Sequence, residues 1–267
     1  MVKKDKKRTK SLSAVIISFN EEKKIRRTLK SVQWCDEVIL VDGQSTDRTV
    51  EIAKPLVTKL ISIPNDPSMM SMRNQGILKA DSDWVLIVDS DEVIPPCLVK
   101  EIRRHIQSDK YVGYRLPRKQ CFFGKWMKHS GWYPDFQTRL VKKGHGMYKD
   151  MHVHEQLVLD GPIGFIDVPF EHYPYLDRKE YFHKVYRYIR FEAGKLAEKE
   201  KPPSAFIYLL IRPPARFLSI LFRLKGILDG WRGLVLAFFA AYHEFMSYLY
   251  YLHIKNKQSI FPKKHDV

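Results

Sequence analysis

The chain has 267 residues, 45% hydrophobic and 13% aromatic, which supplies a packed core and excludes disorder as the main state. Its three cysteines, Cys35, Cys97 and Cys121, include no CxxC pair. This excludes a disulfide scaffold and a Cys-built zinc site and suits a reducing compartment. The net charge is +16, with +5 in residues 1–10 and +7 in residues 201–267, so a nearly neutral body carries two basic ends. Such ends suit an anionic partner, either lipid surface or nucleic acid.

The N-terminal basic stretch is followed by only eight apolar-leaning residues, LSAVIISF, and then NEEKK without a small-residue cleavage site, so no secretion signal is expected. From there strand and helix patterns alternate. LSAVIIS (12–18) reads as a buried strand, and Asn20 is a candidate cap for a helix from Glu21 to Val32. EVILVD (37–42) is the second strand, DRTVEIAK (47–54) a short helix and TKLISIP (58–64) the third strand. Asp66 or Ser68 is expected to cap a helix through Lys79, and WVLIVD (84–89) is the fourth strand. PPCLVKEIRRHI (95–106) opens with prolines that suit a first helical turn. The alternation predicts an α/β fold whose mostly parallel central sheet is flanked by helices.

After residue 110 the pattern turns to strands (YVGYRLPR, FQTRLVKK, IGFIDVPFEH) and aromatic loops, read as mixed or antiparallel sheet extending the first half. Residues 177–200 are helical and highly charged; 203–254 are helical, aromatic and basic. The expected organisation is a basic tail (1–10), a catalytic domain (11–202, in halves 11–109 and 110–202) and an amphipathic helical region (203–267), with a soft boundary at Pro202–Pro203. The longest apolar run, GLVLAFFAAY (233–242), is too short for a span, which needs about 20 residues. Interfacial helices with snorkelling Arg and Lys fit better.

In an open α/β sheet ligands bind beyond the carboxyl ends of the strands. Here these ends read SFNEE, Asp42 before GQSTD, and DSDE with Asp89 and Asp91, a rim of carboxylates that needs a cation or hydroxyl donors. There is no GxGxxG and no GxxxxGK[ST], so neither a dinucleotide fingerprint nor a P-loop is present. Without a glycine cradle a diphosphate calls for a metal, and Mg²⁺ or Mn²⁺ accepts carboxylate oxygens while bridging phosphates. His172 follows a strand and is placed to reach this rim, either as a metal ligand or as a polar packing histidine.

The series SFNEE, VDGQSTDRT and MRNQGILKADSDWVLIVDSDE resembles the donor half of family-2 glycosyltransferases, which have the GT-A nucleotide-sugar-binding fold. CFFGKWMKHSGWYPDFQTRL (121–140), VHE (153–155) and ILDGWRGLVLAFFAAY (227–242) resemble the subgroup containing the lipopolysaccharide-core β-1,4-glucosyltransferases. By that resemblance Phe19, Asn20 and Glu21 line the nucleotide pocket, Asp42 meets the base and Arg73 lies near base and phosphates. Asp89 faces ribose or sugar, and Asp91 is the metal ligand. Transfer would invert the anomeric carbon, with Asp135 as base and Glu155 as its rival. Trp132 and Tyr133 would stack on the acceptor sugar and His129 would hydrogen-bond it.

The implied donor is a nucleoside-diphosphate sugar, UDP favoured over GDP. The implied acceptor is a lipopolysaccharide-core or other lipid-linked glycan, met at an anionic membrane surface on the cytoplasmic face of the inner membrane. The absence of QxxRW and of flanking spans implies one sugar per encounter. Two other readings fit the sequence less well. A nucleotidyltransferase would want a Gly-rich basic loop where SFNEE stands, and a nucleic-acid-binding module would want a recognised motif.

Overall fold

The computed structural model describes residues 8–65, 69–151, 154–175, 177–199 and 204–260. The proposed caps Asp66 and Ser68, the boundary Pro202–Pro203 and most of the basic tail lie outside them. The chain forms two compact units: Met1–Lys119 with Asp135–His172, and Gln120–Pro134 with Tyr173–Val267.

The first unit is built on strands β1 (Leu12–Ser18), β2 (Glu37–Asp42), β3 (Lys59–Ser62) and β4 (Trp84–Asp89), with helices α1 (Ile25–Ser31), α2 (Thr49–Ala53) and α3 (Met70–Lys79) between them. Strands β1, β2 and β4 fall where the apolar runs place them. β2 and β4 flank β1, and β3 lies beyond β2, all parallel. Short β5 (Glu92–Val93) and helix α4 (Pro96–His105) follow. Then come β6 (Gly113–Phe122), β7 (Lys125–Trp126), β8 (Phe136–Lys142), β9 (Gly146–Met151) and β10 (His154–Leu159). β8 runs antiparallel to both β4 and β6, as the change of pattern predicts. β9 and β10 form a separate antiparallel pair.

Alternation along the parallel strands explains why both faces are covered. Ala14, Ile16, Leu40, Leu86 and Val88 pack with α1 and α4 residues such as Leu29 and Leu98. Val15, Ile17, Ile39, Val41, Val85 and Ile87 pack on the other face with Met72 and Ile77 of α3. Each fully buried aliphatic side chain contributes about 1.5–3 kcal/mol relative to exposure. Helix α3 lies close because residue 76 is glycine: a Cβ there would run into Val15 Cγ1.

Two local expectations are corrected. Asn20 does not cap α1, which begins at Ile25 without a side-chain cap. Its φ is 55°, and its Oδ1 instead accepts from the Thr46 N–H at 2.8 Å. The segment IGFIDVPFEH is also not one strand. It makes β11 (Ile163–Phe165), parallel to β6, and β12 (Phe170–His172), antiparallel to β5.

The second unit is helical. Helix α5 (Arg178–Ala197) is capped by Asp177, whose carboxylate accepts from the Glu180 N–H at 2.8 Å. Helix α6 (Arg212–Leu218), flanked by π-helical turns, and the long α7 (Trp231–Ile260) complete it. Phe122, Met127, Tyr181 and Leu236 form one core of this unit; Ala193, Leu196, Tyr248 and Tyr251 form another. Among the described residues no helix is long and apolar enough to cross a membrane.

Candidate active site

The carboxyl ends of β1, β2 and β4 lie side by side, since Ser18 pairs with Asp42 and Ile17 with Asp89. The loops leaving β1 and β2 are laced together. The Asn20 N–H donates to Ser45 Oγ at 2.9 Å and the Glu21 N–H to Thr49 Oγ1 at 2.8 Å, while Phe19 stays exposed. Asp42 is buried, and hydroxyls meet its charge: Ser18 Oγ donates to Oδ1 at 3.0 Å, Ser45 Oγ to Oδ1 at 2.6 Å, and the Ser45 N–H to Oδ2 at 2.8 Å.

Asp89 is held differently. Arg73 Nη2 donates to its Oδ1 at 3.0 Å and Arg139 Nη2 to its Oδ2 at 2.5 Å. Burial works against its charge, but the two guanidiniums outweigh that and hold the carboxyl well below the usual range. Arg139 also donates to buried Glu92, whose other oxygen accepts the Asp89 N–H at 3.0 Å. Burial, with Asp89's charge adding to it, pushes Glu92 up to about 7 against the pull of Arg139. Tyr148 lies beneath Arg73, with the guanidinium 5.1 Å from its ring centre. The rim therefore carries two guanidiniums where the sequence suggested mutually repelling acids. Arg139, Glu92 and Tyr148 were not singled out in the sequence. Glu92 stands openly in DSDE, but nothing in the spacing of QTRL links Arg139 to it.

Asp91 and His172 are brought together: Nε2 of the histidine lies 3.3 Å from Oδ2 of the aspartate, both largely buried. Among the described residues no group of three or more His, Cys, Asp or Glu side chains forms a metal cage. Mg²⁺ and related ions need none, since they keep waters and are bound by one or two carboxylates plus substrate phosphates. The Asp91 carboxylate fits such an ion, and the His172 imidazole suits Mn²⁺ better than Mg²⁺.

Asp135 stands at the start of β8 in the first unit. Arg118 Nε donates to its Oδ2 at 2.8 Å and Gln137 Nε2 to its Oδ1 at 2.7 Å, so the carboxylate is held in a fixed orientation. Glu155 lies on β10, opposite Asp150 in backbone register.

The acceptor candidates belong to the helical unit. Ser130 and Gly131 both take positive φ, 61° and 78°, and a side chain at residue 131 would also press on Leu224. Buried Asp229 holds this loop by accepting from the Lys128 and His129 N–H groups, each at 3.2 Å, and from Ser130 Oγ at 2.8 Å. His129 Nδ1 lies 3.2 Å from the same carboxylate. Trp132 packs edge-on to Phe122, and Tyr133 edge-on to Trp126. Asp229 was visible in the sequence only as a charge before an apolar run.

The model of the family described as "Glycosyl transferase family 2" matches residues 13–162. The "Lipopolysaccharide core biosynthesis glycosyltransferase LpsC" of Rhizobium meliloti is 27% identical over 244 residues, covering 86% of this chain and 90% of that protein. The "Uncharacterized glycosyltransferase RT0209" of Rickettsia typhi is 39% identical over 111 residues, 40% of this chain and 38% of that one. Among solved structures, S. aureus TarS 1-349 in complex with UDP-GlcNAc superposes with a TM-score of 0.51 at 15% identity, covering 92% of both chains. That likeness shows the fold, which is of the GT-A type.

Proposed function

Because the chain belongs to glycosyl transferase family 2 and is a glycosyltransferase, we propose that it moves one sugar, with inversion, from a UDP-sugar to a lipopolysaccharide-core glycan. What carries this reading is the row of Asp42, Asp89 and the Asp91–His172 pair at adjacent strand ends. The likeness over most of its length to a protein named for lipopolysaccharide-core biosynthesis supports the acceptor class.

In this reading the loop at Phe19, Asn20 and Glu21 and the carboxylate of Asp42 take the nucleoside. Arg73 and Arg139 fix Asp89 so that it presents a set face to the sugar. Asp91 and His172 would hold Mg²⁺ or Mn²⁺, which when bound offsets the charge of the departing diphosphate. Asp135 takes the proton of the attacking acceptor hydroxyl as the bond from that oxygen to the anomeric carbon forms and the bond to the diphosphate oxygen breaks. Arg118 orients this base. Glu155 is the alternative base.

Attachment to an anionic membrane surface, at the cytoplasmic face of the inner membrane, belongs to the same proposal. Phe206, Leu210, Phe222, Leu228, Trp231 and Phe238 of the helical unit are exposed, and Arg212, Arg216, Arg223 and Arg232 occur among them in the chain.

The test is transfer of labelled sugar from a panel of UDP-sugars to lipopolysaccharide core, with Mn²⁺ present. The expected result is label in the glycan, reduced about 10²–10⁴-fold in Asp135→Asn with donor binding retained. Pyrophosphate release without glycan labelling would contradict the reading.

A further inference from the structure

The helical unit forms a half-open cavity of about 900 Å³, at the upper end of the range for small-molecule sites. Its wall is neither an apolar slot nor a cationic sink. Tyr208 offers a ring, stacked on Tyr248 at 5.3 Å, with the Arg212 guanidinium 4.3 Å from its centre. Arg212 is neutralised by Glu244 at 3.0 Å, and Glu192 and Arg216 add one charge of each sign. Trp132 enters the wall from the loop that Asp229 holds.

An acyl chain would leave these charged groups facing hydrocarbon, at a desolvation cost. A nucleotide or free phosphate would want an excess of cations, which the wall does not supply. A sugar satisfies the set. Its C–H faces pack on rings, and its hydroxyls both accept from Arg and donate to Glu.

We infer that this cavity binds the glycan part of the acceptor, with Trp132 as a stacking platform and Glu192 and Glu244 as hydroxyl partners. The inference rests on the glycosyltransferase reading for its ligand class. It adds to Trp132, expected from the sequence, residues on α5 and α7 that no motif marks.

The experiment is calorimetric titration of the full chain with a deacylated lipopolysaccharide-core oligosaccharide and, separately, with dodecyl phosphate. Glu192→Ala removes a partner without emptying the core, and Ser247→Phe fills the cavity. The expected result is oligosaccharide binding by the wild type, weakened at least about tenfold in both variants. Equal binding by wild type and both variants would overturn the inference. So would an absence of oligosaccharide binding, or dodecyl phosphate as the ligand whose affinity the two substitutions alter. Oligosaccharide binding that maps to Glu192 and Ser247 in a protein that binds no UDP would uphold the pocket and sink the donor-site reading instead.

Discussion

His172 Nε2 lies 3.3 Å from Asp91 Oδ2, so the end of β12 meets the turn that follows β4. This joins the turn after β4 to the last residue of the first unit and gives the rim a nitrogen donor beside its carboxylate. If the pair holds the divalent ion, His172→Ala should weaken Mn²⁺ binding at least about tenfold, since loss of a group that merely supports a ligand already costs about 10–100-fold. Titration of Mn²⁺ in the presence of UDP, followed by the ion's electron paramagnetic resonance signal, checks this. Unchanged affinity would remove His172 from the site.

Arg139 is the buried cation between Asp89 and Glu92. Its removal strands Glu92 and leaves Asp89 with Arg73 alone. Arg139→Ala is expected to cost about 3–5 kcal/mol in denaturant unfolding, the usual cost of breaking a buried pair from one side. A loss below about 1 kcal/mol would show that water or rearrangement meets these charges.

The same cluster sets a pH dependence of two signs. Asp89, held below its ordinary 3.8, contributes stability above that pH, which is lost as pH falls toward its folded value. Glu92, raised from 4.5 to about 7, binds its proton more tightly when folded, so its contribution declines as pH rises from 4.5 through about 7. Unfolding free energies measured across pH should therefore slope less steeply below about 4 in Asp89→Asn. They should lose their downward slope between 4.5 and 7 in Glu92→Gln. Parallel curves for wild type and Glu92→Gln would show that Glu92 stays ionised throughout.

Asp229 serves the loop rather than the chemistry. In Asp229→Ala the amides of Lys128 and His129 lose their acceptor, at about 1.5–3 kcal/mol for each hydrogen bond to a charged group at most. Hydrogen exchange should show these two amides losing protection, with UDP affinity unchanged. Retained protection would mean that Leu224 and neighbouring packing hold the loop unaided.

Much of the first unit was legible in the sequence. β1, β2 and β4 are short apolar runs bounded by polar residues, and their two-residue alternation survives in the two cores. That is why Asp42, Asp89 and Asp91 could be placed at strand ends beforehand. The Asn20 cap was misread because the loop it enters is shaped by contacts with Ser45 and Thr46, which local spacing does not show. Arg139, Glu92 and Tyr148 escaped notice for a related reason. Their meaning lies in side-chain contacts among β4, β5, β8, β9 and α3, which only the folded chain brings together. In the helical unit the amphipathic pattern announced helices. It did not announce a cavity, because polar residues at helical spacing read as solvent-facing until partner helices enclose them.

The most direct measurement is calorimetric binding of UDP to the wild type and to Asp91→Ala, each with Mn²⁺ and with chelator. The proposed donor site requires UDP to bind the wild type with Mn²⁺, and to bind at least about tenfold more weakly with chelator or without the Asp91 carboxylate. UDP binding of equal strength in all four cases, or none by folded wild type with Mn²⁺, would contradict the assignment of Asp91 and His172 to a metal-held diphosphate.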